Sequence, residues 1–185
     1  MVDGNCGYTF GDAVKIGRTL ERVNASWFEE PFSADNLRAY QALRQKIDVP
    51  IAAGETWFTR YDFRDAFVLE AIDIAQPDVA RCGGISETQR VADLASAFHV
   101  AFAPHTGQSS LVCLIAALHL AASHPNTLTY EFIAVDWSKG TPNPLRHSLG
   151  QPQLKTLRTG STIQPPSGAG LGISIDWDGI KRHCL

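Results

Sequence analysis

Short apolar segments alternate with longer amphipathic segments along most of this chain of 185 residues. The short segments are almost continuously apolar, which is typical of strands buried on both faces of a parallel sheet. The longer segments carry apolar residues at helical spacing. We predict strands over residues 1–3, 25–29, 50–55, 71–77, 100–104 and 128–131. We predict helices over residues 12–23, 34–46, 59–69, 86–98 and 109–123, with Asp12 as a cap of the first. Repeated βα units of this kind predict an α/β fold with a parallel sheet.

The last quarter of the chain has a different character. Residues 136–170 are rich in Pro, Gly, Ser and Thr and lack periodicity, which predicts loops or extended segments. One more short strand is predicted over residues 172–177, followed by a helical turn. We therefore divide the chain into a βα domain at residues 1–135 and a loop-rich tail at residues 136–185.

Three acidic residues end the first three apolar segments at equal intervals. Successive residues of the series Asp3, Glu29 and Glu55 are 26 residues apart. A strand, a helix and the next parallel strand together take about 25–30 residues. The three carboxylates are therefore expected at the same end of adjacent strands, the end that carries the active site in a (β/α) barrel. Converging carboxylates repel one another unless a hard cation neutralises them, and oxygen ligands suit Mg²⁺. Any one of these acids could be a helix cap, but their common spacing favours a Mg²⁺ site.

Three further polar residues follow the later strands at similar intervals: Asp78, His105 and Glu131. A carboxylate beside an imidazole can fix its tautomer and raise its basicity, as in catalytic pairs. Each residue also has a simpler interpretation: a cap for Asp78, a loop histidine for His105 and a rim position for Glu131.

Composition limits the classes of partner and the cellular location that we expect for the protein. A net charge of −3 gives no reason to expect binding to nucleic acid or to an anionic membrane. No apolar run approaches the roughly 20 residues of a membrane span, and the first residues do not resemble a signal peptide. The four cysteines form no CxxC pair, so we expect reduced thiols and a cytoplasmic protein.

Five short motifs resemble the enolase superfamily, and within it the mandelate racemase and muconate lactonizing enzyme group, which includes many acid-sugar dehydratases. They occur in unbroken order as Val2-Asp3-Gly4-Asn5, Trp27-Phe28-Glu29-Glu30-Pro31, Ala53-Gly54-Glu55-Thr56-Trp57, Gln76-Pro77-Asp78 with Gly83-Gly84, and Pro104-His105. The resemblance implies a TIM-type (β/α) barrel. It also implies that this chain supplies about six βα units, from the third strand onward, and lacks the N-terminal capping domain and the Lys-x-Lys strand.

The resemblance assigns roles to the strand-end residues. It implies that Asp3, Glu29 and Glu55 bind Mg²⁺, with the first Glu of the Trp-Phe-Glu-Glu-Pro motif as the ligand. It also implies that Asp78 and His105 form the basic dyad.

Three other positions face the substrate if the resemblance holds. Glu131 would hydrogen-bond the substrate carboxylate opposite the metal, and Asn5 and Arg81 are candidate substrate-binding residues. Some dehydratases of the subgroup carry a catalytic His where this chain has Asn5, which argues against that type. The lysine-dependent cycloisomerase and epimerase branch is disfavoured by Glu55 and Arg81.

The implied reaction is Mg²⁺-dependent abstraction of a proton next to a carboxylate, through an enediolate, on a small-molecule carboxylate. Bases on both faces of the carbon are needed for racemisation, so a lyase reaction, dehydration of an acid sugar, is favoured. Racemisation or epimerisation of a 2-hydroxy acid and a truncated, non-catalytic remnant stay open, as does a different barrel enzyme. An incomplete barrel has open sheet edges, so we expect closure by further chain or by a second subunit in a homo-oligomer.

Overall fold

The computed structural model describes residues 1–107, 109–132, 150–152 and 154–182, and its first 132 residues alternate between strands and helices. The strands are β1 (Val2–Asp3), β2 (Phe28–Glu29), β3 (Ile51–Ala53), β4 (Ile74–Ala75) and β5 (Ala101–Phe102). The helices are α1 (Phe10–Arg22), α2 (Leu37–Arg44), α3 (Thr59–Val68), α4 (Val79–Cys82), α5 (Ile85–Ala97) and α6 (Leu111–Ser123). None of the helices within the described ranges is long and apolar enough to cross a membrane.

The five strands form one parallel sheet in chain order, which confirms the predicted α/β fold. A sixth segment continues the sheet beyond β5 through an isolated parallel bridge between Phe102 and Thr127. The strand predicted over residues 128–131 is therefore wrong: the bridge is at Thr127, and the ladder ends where the Leu128 amide donates to the Phe102 carbonyl. Closure of the sheet edges by other chain stays a prediction.

The core fills both sides of this sheet. Phe28 and Ile51 of the strands are fully buried against helical residues that include Tyr40 and Phe63. The Tyr40 hydroxyl donates to the Phe32 carbonyl at 2.7 Å, which satisfies its polar group inside the core. The short strands are thus held by helices on the outside, and their carboxyl ends are free to carry polar residues.

Helix α1 begins two residues before the predicted start, so the cap predicted at Asp12 is wrong. Thr9 caps the helix: its hydroxyl oxygen accepts from the Asp12 amide at 3.3 Å and donates to the Asp12 carboxylate at 2.7 Å. This reciprocal pairing joins the cap to Asp12, the third residue of the helix, where the negative charge also favours the helix N-terminus.

The tail contains short paired strands that the absence of periodicity did not predict. Its elements are β6 (Gly150–Gln151), a 3₁₀ helix (Leu154–Leu157), β7 (Arg158–Thr159), β8 (Thr162–Ile163), β9 (Ser174–Ile175) and α7 (Trp177–Lys181). Strand β9 lies within the strand predicted over residues 172–177 and confirms it in part. It pairs antiparallel with β6 of the same tail. The proposed domain boundary at residue 135 lies outside the described residues.

A partly buried ion pair between α3 and α5 gives a first testable prediction. The Glu87 carboxylate accepts from the Arg60 amide at 2.9 Å and from both Nε and Nη2 of Arg60 at 2.7 Å. The hydrogen bonds from Arg60 lower the pKa of Glu87 to about 2, below its ordinary value of about 4.3. The stabilisation is thus present above pH about 4.3 and is lost as the pH falls toward 2.

We expect Glu87→Gln to lower the melting temperature at pH 7 by a few degrees and to flatten its decline between pH 4.5 and 2. Asp65→Asn is the matched control, since the Arg64–Asp65 pair is about half exposed and should contribute little. Thermal unfolding followed by circular dichroism measures both. An equal loss in the two variants at pH 7 would contradict the assignment.

Candidate active site

The parallel topology brings the strand-end residues to one end of the sheet. Asp3 ends β1 and Glu29 ends β2, and these two residues are direct partners in the strand register. Glu55 follows β3 by two residues. The spacing argument therefore predicted the placement of all three acids correctly.

His105 and Asp78 form a buried hydrogen-bonded pair at the same end. His105 Nδ1 lies 2.9 Å from Asp78 Oδ2, and the backbones of the two residues meet in a parallel bridge. Asp78 Oδ1 also accepts from the Ala80 amide at 2.8 Å, so Asp78 caps helix α4 as well as holding the histidine. The dyad and the cap, which the sequence offered as alternatives, are both present.

The surroundings of this pair favour an ionised Asp78. Burial alone would raise the pKa of Asp78, but hydrogen bonds from His105 and the Ala80 amide outweigh it and hold the pKa below the ordinary value. An ionised Asp78 can only accept, so Nδ1 of His105 carries a proton. Burial would lower the pKa of His105, but the bond to Asp78 and the charges of Glu131 and Glu55 raise it above the ordinary value. In the neutral ring, Nε2 is therefore the basic nitrogen.

Nε2 of His105 faces two carboxylates. It lies 3.1 Å from Glu55 Oε2 and 4.0 Å from Glu131 Oε2. Glu55 also contacts Arg81, whose Nη1 lies 3.3 Å from Glu55 Oε1. His105, Glu55 and Glu131 thus form one cluster, and Arg81 lies beside it.

Asp3 and Glu29 lie side by side at the ends of β1 and β2. The indole nitrogen of Trp27 donates to Glu29 Oε2 at 2.9 Å, and the backbone amide of Asn5 donates to Asp3 Oδ1 at 2.8 Å. Burial raises the pKa of Glu29, hydrogen bonds from Trp27 and Gln76 oppose the rise, and the charge of Asp3 adds to it. Asn5 contacts Asp3 through its backbone, so the role predicted for its side chain stays a prediction.

The donor types at these strand ends suit a hard divalent cation, because carboxylate oxygens are the ligands that such a cation prefers. In the described parts of the chain, however, no three Asp, Glu, His or Cys side chains are grouped closely enough to hold a metal ion. The two acids have other partners: Glu55 points to His105, and Glu29 accepts from Trp27. Assignment of Mg²⁺ to Asp3, Glu29 and Glu55 therefore stays a prediction.

Sequence reasoning missed a buried acid next to the site. Glu30 is 4% exposed, and its Oε1 has no hydrogen-bond partner among the described residues. Its Oε2 accepts a weak bond from the Cys6 thiol at 3.5 Å. Burial, followed by the charge of Glu55, raises the pKa of Glu30 to about 7. The motif directed attention to Glu29, and only burial in the folded chain distinguishes Glu30 from a surface acid.

Sequence reasoning also missed Gln76 and Thr106, both buried polar residues. Gln76 hydrogen-bonds Glu29, and Thr106 contacts Glu131 through its amide and its hydroxyl. Gln76 begins the Gln76-Pro77-Asp78 motif, and Thr106 directly follows the Pro104-His105 motif. These positions in the sequence are the one signal that could have identified them.

Comparisons with known proteins identify the family of this chain. A model of the enolase C-terminal domain-like family matches residues 1–179. The chain is 35% identical over 184 residues to a D-galactarolactone cycloisomerase of Agrobacterium fabrum and 38% identical over 179 residues to an arabinonate dehydratase of Saccharolobus solfataricus. These alignments cover 98% and 97% of this chain but 48% and 45% of the relatives.

A solved structure shows the same fold. The mandelate racemase/muconate lactonizing enzyme-like protein of Rubrobacter xylanophilus superposes with a TM-score of 0.85 at 32% identity, covering 98% of this chain and 44% of that one. The chain therefore belongs to the enolase C-terminal domain-like family of the enolase superfamily. The predicted resemblance and fold are confirmed, and the chain spans about half the length of the relatives it matches.

Proposed function

We propose that the protein abstracts the proton next to the carboxylate of an acid sugar and dehydrates the sugar. The observation that carries this proposal is the His105–Asp78 pair, 2.9 Å apart and buried, whose Nε2 faces the carboxylate cluster. A buried imidazole with a fixed tautomer is a suitable general base near neutral pH.

His105 acts twice in this reaction. Its Nε2 takes the proton from C2 of the sugar acid, and the electron pair of that C–H bond moves toward the carboxylate to form an enediolate. The C3–O bond then breaks, and His105 returns the proton to the departing hydroxyl, which leaves as water. The resulting enol becomes a 2-keto-3-deoxy acid by taking a solvent proton at C3. Asp78 keeps the ring oriented throughout.

Negative charge develops on the substrate carboxylate, and the strand-end acids would act on it through the cation that they hold. Asp3, Glu29 and Glu55 would hold Mg²⁺, which when bound neutralises the growing charge on the carboxylate oxygens. Glu131 contacts the other end of that carboxylate. Arg81 lies beside Glu55 and offers a positive charge to a substrate oxygen.

The relatives support the substrate class and leave one alternative reaction. They include enzymes named for arabinonate, D-xylonate and D-galactonate dehydration. One is named a D-galactarolactone cycloisomerase, so opening of a sugar lactone through the same proton abstraction is the second candidate. Racemisation and a non-catalytic remnant are further outcomes of the same assay.

The test is a product assay on the natural protein, with whatever sequence flanks these 185 residues. Arabinonate, D-xylonate, D-galactonate and D-galactarolactone are incubated with and without Mg²⁺, and products are identified by mass spectrometry and NMR. We expect a 2-keto-3-deoxy acid from at least one sugar acid, only with divalent metal. Conversion of the lactone alone would favour cycloisomerisation, an epimeric acid would favour racemisation, and no conversion would favour the remnant.

A further inference from the structure

Glu131 is held by its neighbours through one of its two carboxylate oxygens. Oε2 accepts from the Thr106 amide at 2.6 Å and from the Gly107 amide at 3.3 Å. The Thr106 hydroxyl lies 3.0 Å from the Glu131 carbonyl oxygen and 3.3 Å from Oε2. Within the described contacts, every hydrogen bond to the Glu131 carboxylate therefore comes from residues 106 and 107.

The geometry distinguishes the two oxygens chemically. A carboxylate oxygen has two lone pairs, and the two backbone amides occupy those of Oε2. Oε1 is therefore the oxygen of Glu131 that stays available to a substrate. The Thr106 hydroxyl has one proton, and the shorter distance directs it to the Glu131 carbonyl. Thr106 thus holds both the backbone and the side chain of Glu131.

We propose that Thr106 is a positioning residue that anchors Oε2 of Glu131, so that Oε1 alone faces the substrate carboxylate. This inference rests on the proposed function for the identity of the substrate, although the anchoring itself does not. Thr106 is 0% exposed, and it directly follows His105. Residues 105 and 106 therefore supply the proposed base, His105, and hold Glu131, the residue proposed to contact the substrate carboxylate.

Gly107 completes this segment for a steric reason. Its φ is +40°, and a Cβ built there would lie 2.6 Å from His105 Cε1. A side chain at residue 107 would push the imidazole ring away, so glycine allows the amide to reach Glu131 while the ring stays in place.

Thr88 supplies a matched control within the same molecule. It is also 0% exposed, and its hydroxyl donates to the carbonyl of Gly84, the N-cap of α5, at 3.0 Å. Thr106→Val and Thr88→Val each remove one buried hydroxyl and its 3.0 Å hydrogen bond to a backbone carbonyl. Thr106→Ser keeps the hydroxyl.

The experiment compares the natural full-length protein with these three variants in three measurements. Melting temperature reports stability, kcat and KM on an active acid sugar report function, and hydrogen–deuterium exchange of the amides at residues 106 and 107 reports the anchor. We expect both valine variants to lose similar stability. Only Thr106→Val should lose kcat, by about tenfold with KM nearly unchanged, because Glu131 acts on charge that develops in the transition state. The two amides should exchange faster in Thr106→Val and at the parent rate in Thr106→Ser.

An unchanged kcat together with unchanged amide exchange in Thr106→Val would overturn the proposal and leave Thr106 a packing residue. If the parent turns over none of the sugar acids, the proposed function fails, and amide exchange still decides the anchor. Amide exchange that is faster in Thr106→Val and returns to the parent rate in Thr106→Ser supports the anchor. Exchange that is unchanged in Thr106→Val overturns it.

Discussion

Replacement of His105 by Asn is expected to abolish proton abstraction while leaving metal binding nearly intact. The variant keeps a polar side chain of similar reach but has no basic nitrogen, and a positioned general base contributes about 10²–10⁴-fold to rate. The predicted metal ligands are separate residues, so Mg²⁺ affinity should change little. Incorporation of deuterium at C2 of the sugar acid in heavy water measures the effect.

Two further variants sharpen this prediction. Asp78→Asn should cost less than His105→Asn, because it disturbs orientation and basicity without removing the base. His99→Asn is the control: His99 is exposed with a φ of +59°, a backbone conformation that asparagine tolerates. Deuterium incorporation at the parent rate in His105→Asn would show that another group is the base.

The second large effect is expected from Glu29→Gln. The amide keeps the size of the side chain and an oxygen for the Trp27 indole, but it removes one negative charge from the predicted Mg²⁺ site. Loss of a group that supports a metal ligand costs about 10–100-fold in affinity, so we expect loss of a ligand itself to exceed about 100-fold. Activity should fall in parallel and recover partly at high Mg²⁺. Calorimetric titration with Mg²⁺ measures the affinity.

Glu70→Gln is the matched control for this change, since Glu70 precedes β4 and pairs with Arg44 at the opposite end of the sheet. It should bind Mg²⁺ like the parent. Unchanged affinity in Glu29→Gln, measured in the same titration, would remove Glu29 from the ligand set.

The parallel βα repeat made the placement of the site predictable from sequence. Because each unit takes a similar length of chain, equal spacing put Asp3, Glu29 and Glu55 at one end of the sheet before any contact was known. The same reasoning placed His105 beside Asp78. The apolar runs overstated strand length, however: residues 71–77 were predicted as a strand, and the ladder includes Ile74–Ala75. Apolar pattern reports burial, and the hydrogen-bonded ladder is shorter than the buried segment.

Contacts between distant parts of the chain could not be predicted. Thr106, Gln76 and Glu30 are polar residues whose importance comes from burial against partners that local sequence does not specify. The orientation of Glu55 toward His105 is another contact that local sequence does not specify. Pairing of β6 with β9 joins residues 150–151 to 174–175 across a segment rich in Pro and Gly, where no periodic pattern indicates a partner.

The most direct measurement of the central claim is deuterium incorporation into a sugar acid by the natural protein in heavy water, with Mg²⁺ and after its removal by a chelator. The account predicts deuterium at C2 of recovered arabinonate, D-xylonate or D-galactonate, or at C3 of the 2-keto-3-deoxy product. It also predicts that the signal disappears on chelation, returns with added Mg²⁺ and is absent from His105→Asn. Incorporation that is equal in the presence and absence of metal, or equal in the parent and His105→Asn, would contradict it.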